Sequence, residues 1–270
     1  ISQMSKEVKE NPLISVITVV FNAKDDLEYT LKSIISQEFK SFEVIVIDGG
    51  STDGTLQILE QYSNHIDFWV SEPDDGIYHA MNKGIHESKG KWLNFMNAGD
   101  CYFNNNVLQD IFSQNNYNDE DILIGNSVID YKDFSRVMTV NKSNQLWKGL
   151  FFKHQSAFIK RSYHSENLYN IKNVISADFE FFYTAFSLKK KILFLNVIIA
   201  IFNSGGISDT RRVEAIKGIL NSLNNSNKLY FNRLIFFIFQ IKINQIKSFI
   251  KKILPAKVKL VIHRYIYKIK

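Results

Sequence analysis

Over its first hundred residues the chain alternates between two hydrophobic rhythms. "LISVITVVF" (13–21) is an almost unbroken β-branched run, the pattern of a strand covered on both faces. "KDDLEYTLKSIISQ" then places Leu27, Leu31, Ile34 and Ile35 along one face of a helix. Asp25 and Asp26 fall in its first turn, where the helix dipole favours negative charge. "FEVIVID" (42–48), "IDFWVS" (66–71) and "KWLNFM" (91–96) predict three more buried strands, and "TLQILEQY" and "GIYHAMNKGI" two more helices. Strands and helices alternating at this spacing predict βαβ units and a mainly parallel α/β sheet. Such sheets bind ligands beyond the carboxyl ends of their strands. Asn22, Asp48, Glu72 and Asn97–Asp100 all fall at or just past those ends.

From residue 121 the rhythm changes. "DILIGNSVID" and "SRVMTVN" predict an antiparallel pair joined through "YKDF". "HQSAFIKRSYH" (154–164) is mixed, "ISADFEFFYTAFSLKKK" (175–191) predicts a helix with a buried aromatic face, and "KILFLNVIIAIFN" one or two strands. "SGGISDTR" then breaks the pattern, dividing the chain into residues 1–210, an α/β domain, and residues 211–270, a helical region.

Charge separates those two parts more sharply. Residues 215–270 hold 12 of the 33 lysines and arginines and none of the 27 acids. Residues 1–214 therefore carry 21 basic and 27 acidic side chains, a net charge of −6 against +6 for the whole chain. In "KVKLVIHRYIYKI" the apolar residues Val258, Val261, Ile262, Tyr265, Ile266 and Ile269 recur at helical spacing. Lys257, Arg264 and Lys268 line that stripe, a pattern expected of an interfacial helix on an anionic membrane. Packing of the tail on the α/β domain, or on a second copy in a homo-oligomer, is the plainer alternative. No nucleic-acid-binding module is recognisable, so a nucleic-acid partner is not expected. The longest apolar run of "RLIFFIFQIKINQIKSFIKKIL" is Leu234–Phe239, far short of the roughly 20 residues a span needs. A single cysteine, Cys101, rules out an internal disulfide and suits a reducing compartment. No secretory pattern opens the chain, so a cytoplasmic setting is expected. Residue 1 is Ile, and Met4 is taken as the native start.

Three polar segments carry the candidate chemistry. "VIDGGSTDGT" (46–55) ends a strand in Asp48 and adds glycines and hydroxyls. Either it offers a nucleoside a carboxylate and amides, or it is a capped βα turn. It is neither the G-x-G-x-x-G dinucleotide fingerprint nor a P-loop. "SEPDDGIYHAMNKG" (71–84) sets acids before a helix carrying Asn82 and Lys83. These are plain helix-end charges, or else Asp75 and Lys83 line a shared cleft. "NFMNAGD" (94–100) ends a core strand in an amide and one carboxylate, which suits a divalent cation sharing ligand phosphates or simply a capped turn.

Taken in order, "SVITVVFNAKDDLEYTLKSIISQEFKSFEVIVIDGGSTDGT", "EPDDGIYHAMNKGI" and "KWLNFMNAGD" resemble the inverting family 2 glycosyltransferases of the GT-A fold. The likeness covers roughly residues 12–205 and is greatest to the bacterial branch building O-antigen, capsule and other exopolysaccharides. It implies a GT-A core, Rossmann-like and mainly parallel with a small antiparallel extension, followed by a basic amphipathic helical segment. It also implies a UDP-sugar donor (UDP-Gal, UDP-Glc or an N-acetyl derivative) and a lipid-pyrophosphate-linked saccharide acceptor at the inner membrane face. The residues matching nucleotide-sugar contacts are Val19, Phe21, Asn22, Asp48, Asp75, Asn82, Lys83 and Asn97, with Asp48 at the uracil ring. The family's Asp-x-Asp(-Asp) metal motif falls on Asn97-Ala98-Gly99-Asp100, so Asp100 and Asn97 are the expected ligands of Mn²⁺ or Mg²⁺. With Asn97 and Gly99 in place of two aspartates, cation affinity in the free protein is expected to be low. Asp178 matches the general base, and His154 and Gln155 the acceptor-side segment.

Two other readings carry different expectations. A sugar-nucleotide nucleotidyltransferase would show a glycine-rich basic loop after the first strand, and "VVFNAKDDL" has no glycine. A degenerate nucleotide-sugar-binding subunit would explain the altered metal motif, but not Asp48, Asp100 and Asp178 together.

Overall fold

The computed structural model describes residues 2–5, 12–115, 117–131, 133–140, 146–206, 210–226 and 230–253. These divide into two compact units, Ile1–Gly206 and Ile207–Lys270.

The first unit is a ten-stranded mixed sheet with helices on both faces. Strands β1 (Ser2–Ser5), β2 (Ile14–Val20), β3 (Phe42–Asp48), β4 (Phe68–Ser71) and β5 (Trp92–Phe95) form one half. β6 (Cys101–Tyr102), β7 (Ile122–Asp130), β8 (Ser135–Met138), β9 (Ala157–Lys160) and β10 (Ile192–Asn203) form the other. The order is β1-β4-β3-β2-β5-β9-β7-β10-β6, with β8 added on β7. β4, β3, β2 and β5 are mutually parallel, as their β-branched, doubly covered sequences predict. β9 runs antiparallel to both β5 and β7, joining the parallel half to the rest.

Helices α1 (Lys24–Ile35), α2 (Thr55–Gln61), α3 (Ile77–Glu87), α4 (Val107–Phe112), α5 (Arg161–Glu166) and α6 (Ala177–Ser187) complete this unit. Because strand side chains alternate between faces, β2 sends Ile14, Val16 and Val20 into one core with Leu27, Leu31 and Ile34 of α1. Ile17 and Val19 enter the opposite core with Met81 of α3 and Phe181 and Phe182 of α6. The parallel strands are thus held from both sides, and their carboxyl ends open on one edge.

Three features add to the sequence expectation. Ser2–Ser5, for which the sequence predicts no element, forms an edge strand antiparallel to β4, with Ser2 opposite Ser71. Cys101–Tyr102, outside the predicted strand 91–96, pairs with β10. The 192–203 segment is one strand, irregular where it pairs with β7 between Phe194 and Ala200.

The second unit contains helices Arg212–Asn225 and Phe231–Ile253, which pack on each other. No helix among the described residues is long and apolar enough to cross a membrane. The interfacial stripe expected over 257–269 lies outside the described residues.

Candidate active site

At the end of β3, Asp48 is fully buried. Its Oδ2 accepts hydrogen bonds from Ser51 N (3.0 Å) and Ser71 Oγ (2.5 Å), and its Oδ1 from Ser51 Oγ (2.5 Å). The carboxylate expected at the uracil ring is therefore turned inward, tying β3 to β4 and to its own loop. Asn22 is used similarly: its N–H donates to Ser51 Oγ (2.7 Å) and its Oδ1 accepts Thr52 N (2.8 Å). Between these loops Phe21 stands 63% exposed, while Val19 is buried in the core.

The β5 end is built differently. Asn97-Ala98-Gly99-Asp100 forms a turn whose Gly99 has φ +96°, a conformation that disfavours any side chain. Thr30 of α1 fastens it, donating from Oγ1 to Asp100 O (2.7 Å) and accepting from Gly99 N (3.0 Å). Asn203, at the end of β10, adds Nδ2 to Gly99 O (2.5 Å). Inside this turn Asp100 Oδ2 accepts from Gln155 Nε2 (2.6 Å). Burial pushes the Asp100 carboxyl up to about 6, against the opposing pull of the Gln155 hydrogen bond and of His154 and Lys153. Asn97 Oδ1 and Gln155 Oε1 are buried acceptors without a donor among the described residues.

His154 links this turn to α6. Its Nε2 lies 3.3 Å from Asn97 Nδ2, and its Nδ1 lies 3.5 Å from Asp178 Oδ2. With the proton on Nδ1, His154 accepts from the Asn97 amide and faces the Asp178 carboxylate with a donor. The other Asp178 oxygen receives Tyr78 Oη (2.9 Å) and Phe179 N (2.8 Å). Burial raises the Asp178 carboxyl, but His154, Phe179 N and Tyr78 outweigh it and hold the group below its ordinary value. Tyr78 itself is pushed well up by burial and by the Asp178 charge, so it remains a donor. Asp178 occupies the first turn of α6 and keeps 22% of its side chain exposed, so an incoming hydroxyl can reach it.

The remaining expected contacts are engaged within the chain. Asn82 grips the backbone of Tyr169 from both ends, Nδ2 to O and Oδ1 to N, each at 2.9 Å. Lys83 pairs with Glu72 at 2.7 Å, and the 82%-exposed Asp75 with His79 at 3.5 Å. These contacts order the β4–α3 loop and the 167–170 segment. The sequence reading did not single out Tyr78, Thr30 or Ser71. Tyr78 looked like one more residue of an apolar helical face, and its partner is 100 positions away.

A family model described as glycosyl transferase family 2 matches residues 15–184, more than half of the chain and the whole of this strand-end site apart from Asn203. The chain belongs to glycosyltransferase family 2. It is 28% identical over 215 residues to a PGL/p-HBAD biosynthesis glycosyltransferase of Mycobacterium bovis, covering 74% of this chain and 80% of that one. An uncharacterised glycosyltransferase of Mycobacterium tuberculosis is 41% identical over 98 residues, 36% of this chain and 37% of that one. Among solved structures, Staphylococcus aureus TarS 1–349 in complex with UDP superposes with a TM-score of 0.59 at 20% identity, covering 78% of this chain. This chain spans 65% of that fragment's length. Mannosyltransferase PcManGT from Pyrobaculum calidifontis, in complex with GDP-Man and Mn²⁺, gives 0.64 at 15% identity, with 82% and 65% covered. The fold of this glycosyltransferase is the GT-A fold.

A divalent cation fits the donor set of the β5 corner, though with little protein charge. One carboxylate and buried acceptor oxygens on Asn97 and Gln155 are hard ligands of the kind Mg²⁺ and Mn²⁺ take. No group of three or more His, Cys, Asp or Glu that could hold a metal occurs among the described residues. The donor's phosphates would have to supply the rest.

Proposed function

We propose that this family 2 enzyme transfers a hexose from a UDP-sugar to a lipid-pyrophosphate-linked saccharide, inverting the anomeric centre in one displacement. The observation that carries this reading is the placement of Asp178. It is an ionised, partly exposed carboxylate, oriented by Tyr78 and Phe179 N and joined through His154 to the Asn97–Asp100 turn. Asp178 takes the proton of an acceptor hydroxyl as that oxygen bonds to the anomeric carbon. The bond from that carbon to the diphosphate oxygen breaks, and UDP leaves with the electron pair. A second carboxylate to protonate the leaving group is unnecessary, because UDP departs as an anion. Mn²⁺ or Mg²⁺, held by Asp100 and Asn97 with the donor diphosphate, would neutralise charge on that leaving group. Tyr78 and His154 keep the base oriented, and Lys83, paired with Glu72, steadies the β4–α3 loop.

The test is a panel of nucleotide sugars incubated with a lipid-pyrophosphate-linked sugar, with and without Mn²⁺. UDP release that requires acceptor and cation is expected. Pyrophosphate release would assign the chain to nucleotidyl transfer instead.

The same reading places the enzyme at the inner face of the cell membrane. Helix Phe231–Ile253 leaves Phe231, Ile235, Ile238, Phe239 and Ile246 exposed at helical spacing. It carries Arg233, Lys242, Lys247, Lys251 and Lys252 and no acid. Apolar insertion with a basic flank suits an anionic bilayer surface. Removing residues 228–270 should abolish co-sedimentation with anionic vesicles, and undiminished binding would refute the attachment.

A further inference from the structure

The inward turn of Asp48 leaves the nucleobase side of the cleft without the carboxylate expected there, and the structure supplies another. A Cβ built on Gly49 would lie 2.6 Å from Asp74 Oδ2 and 3.3 Å from Phe21 Cδ2. The Asp74 carboxylate thus fills the space that a side chain at position 49 would take, beside the exposed Phe21 ring. Its orientation is fixed: Oδ1 accepts Gly76 N at 2.8 Å, while Oδ2 meets no donor among the described residues. An exposed aromatic ring with a single free, anionic acceptor against it is a site for a flat heterocycle that offers one N–H at its edge.

We propose that Asp74 is the base-selecting residue of this enzyme, its Oδ2 accepting the N3–H of a uracil stacked near Phe21. This rests on the UDP-sugar reading above and adds a named residue to it. Uracil presents one imide donor between two carbonyls. Cytosine presents an acceptor at N3 and is repelled by the carboxylate. Guanine presents two adjacent donors, which a carboxylate with one oxygen already taken matches poorly. Thymine carries the same N3–H, so this contact alone treats UDP and dTDP alike. Gly49 belongs to the same device, since any side chain there displaces the Asp74 carboxylate.

Binding of UDP, CDP and GDP to the full-length protein with Mn²⁺, measured by calorimetry, tests the assignment. A hydrogen bond to a charged group corresponds to on the order of 10- to 100-fold in affinity, so wild type should prefer UDP over CDP by about that factor. Asp74→Asn offers an amide to the base and should bring the two affinities to within about threefold. Gly49→Ala keeps the carboxylate but moves it, and should erode the ratio similarly while circular dichroism and melting stay those of wild type. An unchanged UDP-to-CDP ratio in both variants, or a wild type that does not separate UDP from CDP or prefers GDP, overturns the role of Asp74. A wild type that binds no nucleoside diphosphate at all would instead remove the donor reading on which the role rests.

Discussion

Two strand ends on the same edge of the sheet each bury an aspartate, and the chain treats the two in opposite ways. At β3, Asp48 is 0% exposed, and the hydrogen bonds its carboxylate accepts come from Ser51 and Ser71. At β5, Asp100 is 6% exposed, receives one amide from Gln155, and sits in a corner where two neutral acceptor oxygens have no donor among the described residues. A buried polar group normally finds its partner inside the protein. Where one does, as at Asp48, the group is scaffold. Where two do not and lie together, as at Asn97 and Gln155, acceptors are left over for the cation proposed above. Position at a strand end thus nominates an aspartate for function, and its hydrogen-bond partners decide.

The largest effect belongs to the carboxylate that the β5 corner serves. Asp178→Asn removes the proposed base but keeps the shape, so transfer should fall on the order of 10²–10⁴-fold. UDP affinity should stay within about twofold, because the role proposed for Asp178 is toward the acceptor hydroxyl and not the donor. Paired turnover and binding measurements check this, and near-normal turnover would move the base role to another residue, His154 first.

One substitution at each strand end separates the two aspartates by stability. Asp48→Ala strands the Ser51 and Ser71 donors and should cost about 3 kcal/mol, a melting temperature lower by roughly 6–12 °C. Asp100→Asn should be neutral or stabilising at pH 7, because it removes a buried charge that the free protein does not fully answer. The sign follows from linkage. A folded-state value near 6, above the ordinary 3.8, means that Asp100 favours folding below about 3.8 and loses that contribution as pH rises through 6. The stability gap between Asp100→Asn and wild type should therefore open between pH 4 and 7, to on the order of 1–3 kcal/mol. Denaturant titrations in EDTA at several pH values measure it. A gap independent of pH would show that Asp100 is answered as fully as Asp48.

The parts of this picture legible in the sequence are those whose causes are local. β2, β3 and β5 declared themselves by unbroken β-branched or aromatic runs, and α6 by its aromatic face with Asp178 in the first turn. β1 gave no signal, because "SQMS" has no hydrophobic alternation and is a strand only through its pairing with β4. Within the site, the segment 97–100 was legible as a polar break after a core strand. What occupies Asp48, Asn82 and Asp178 was not, since their partners lie 23, 87 and 100 positions away. Asn82 shows the limit plainly. A polar residue on an amphipathic helix reads as cleft-facing until the fold brings a backbone segment, here Tyr169, against both its ends.

The smallest effect probes how Asp48 is divided between its partners. Ser51 supplies two of the three hydrogen bonds, one from its backbone, which no substitution short of proline removes. Ser71 supplies the third from its hydroxyl alone. Ser71→Ala should therefore cost only about 1 kcal/mol and leave turnover and UDP affinity unchanged, because Asp48 stays buried and pinned by its own loop. Thermal melts and steady-state rates report the two readouts separately. A loss of UDP affinity in Ser71→Ala would mean that the carboxylate is shared between scaffold and donor, and the contrast between the two strand ends would then be one of degree.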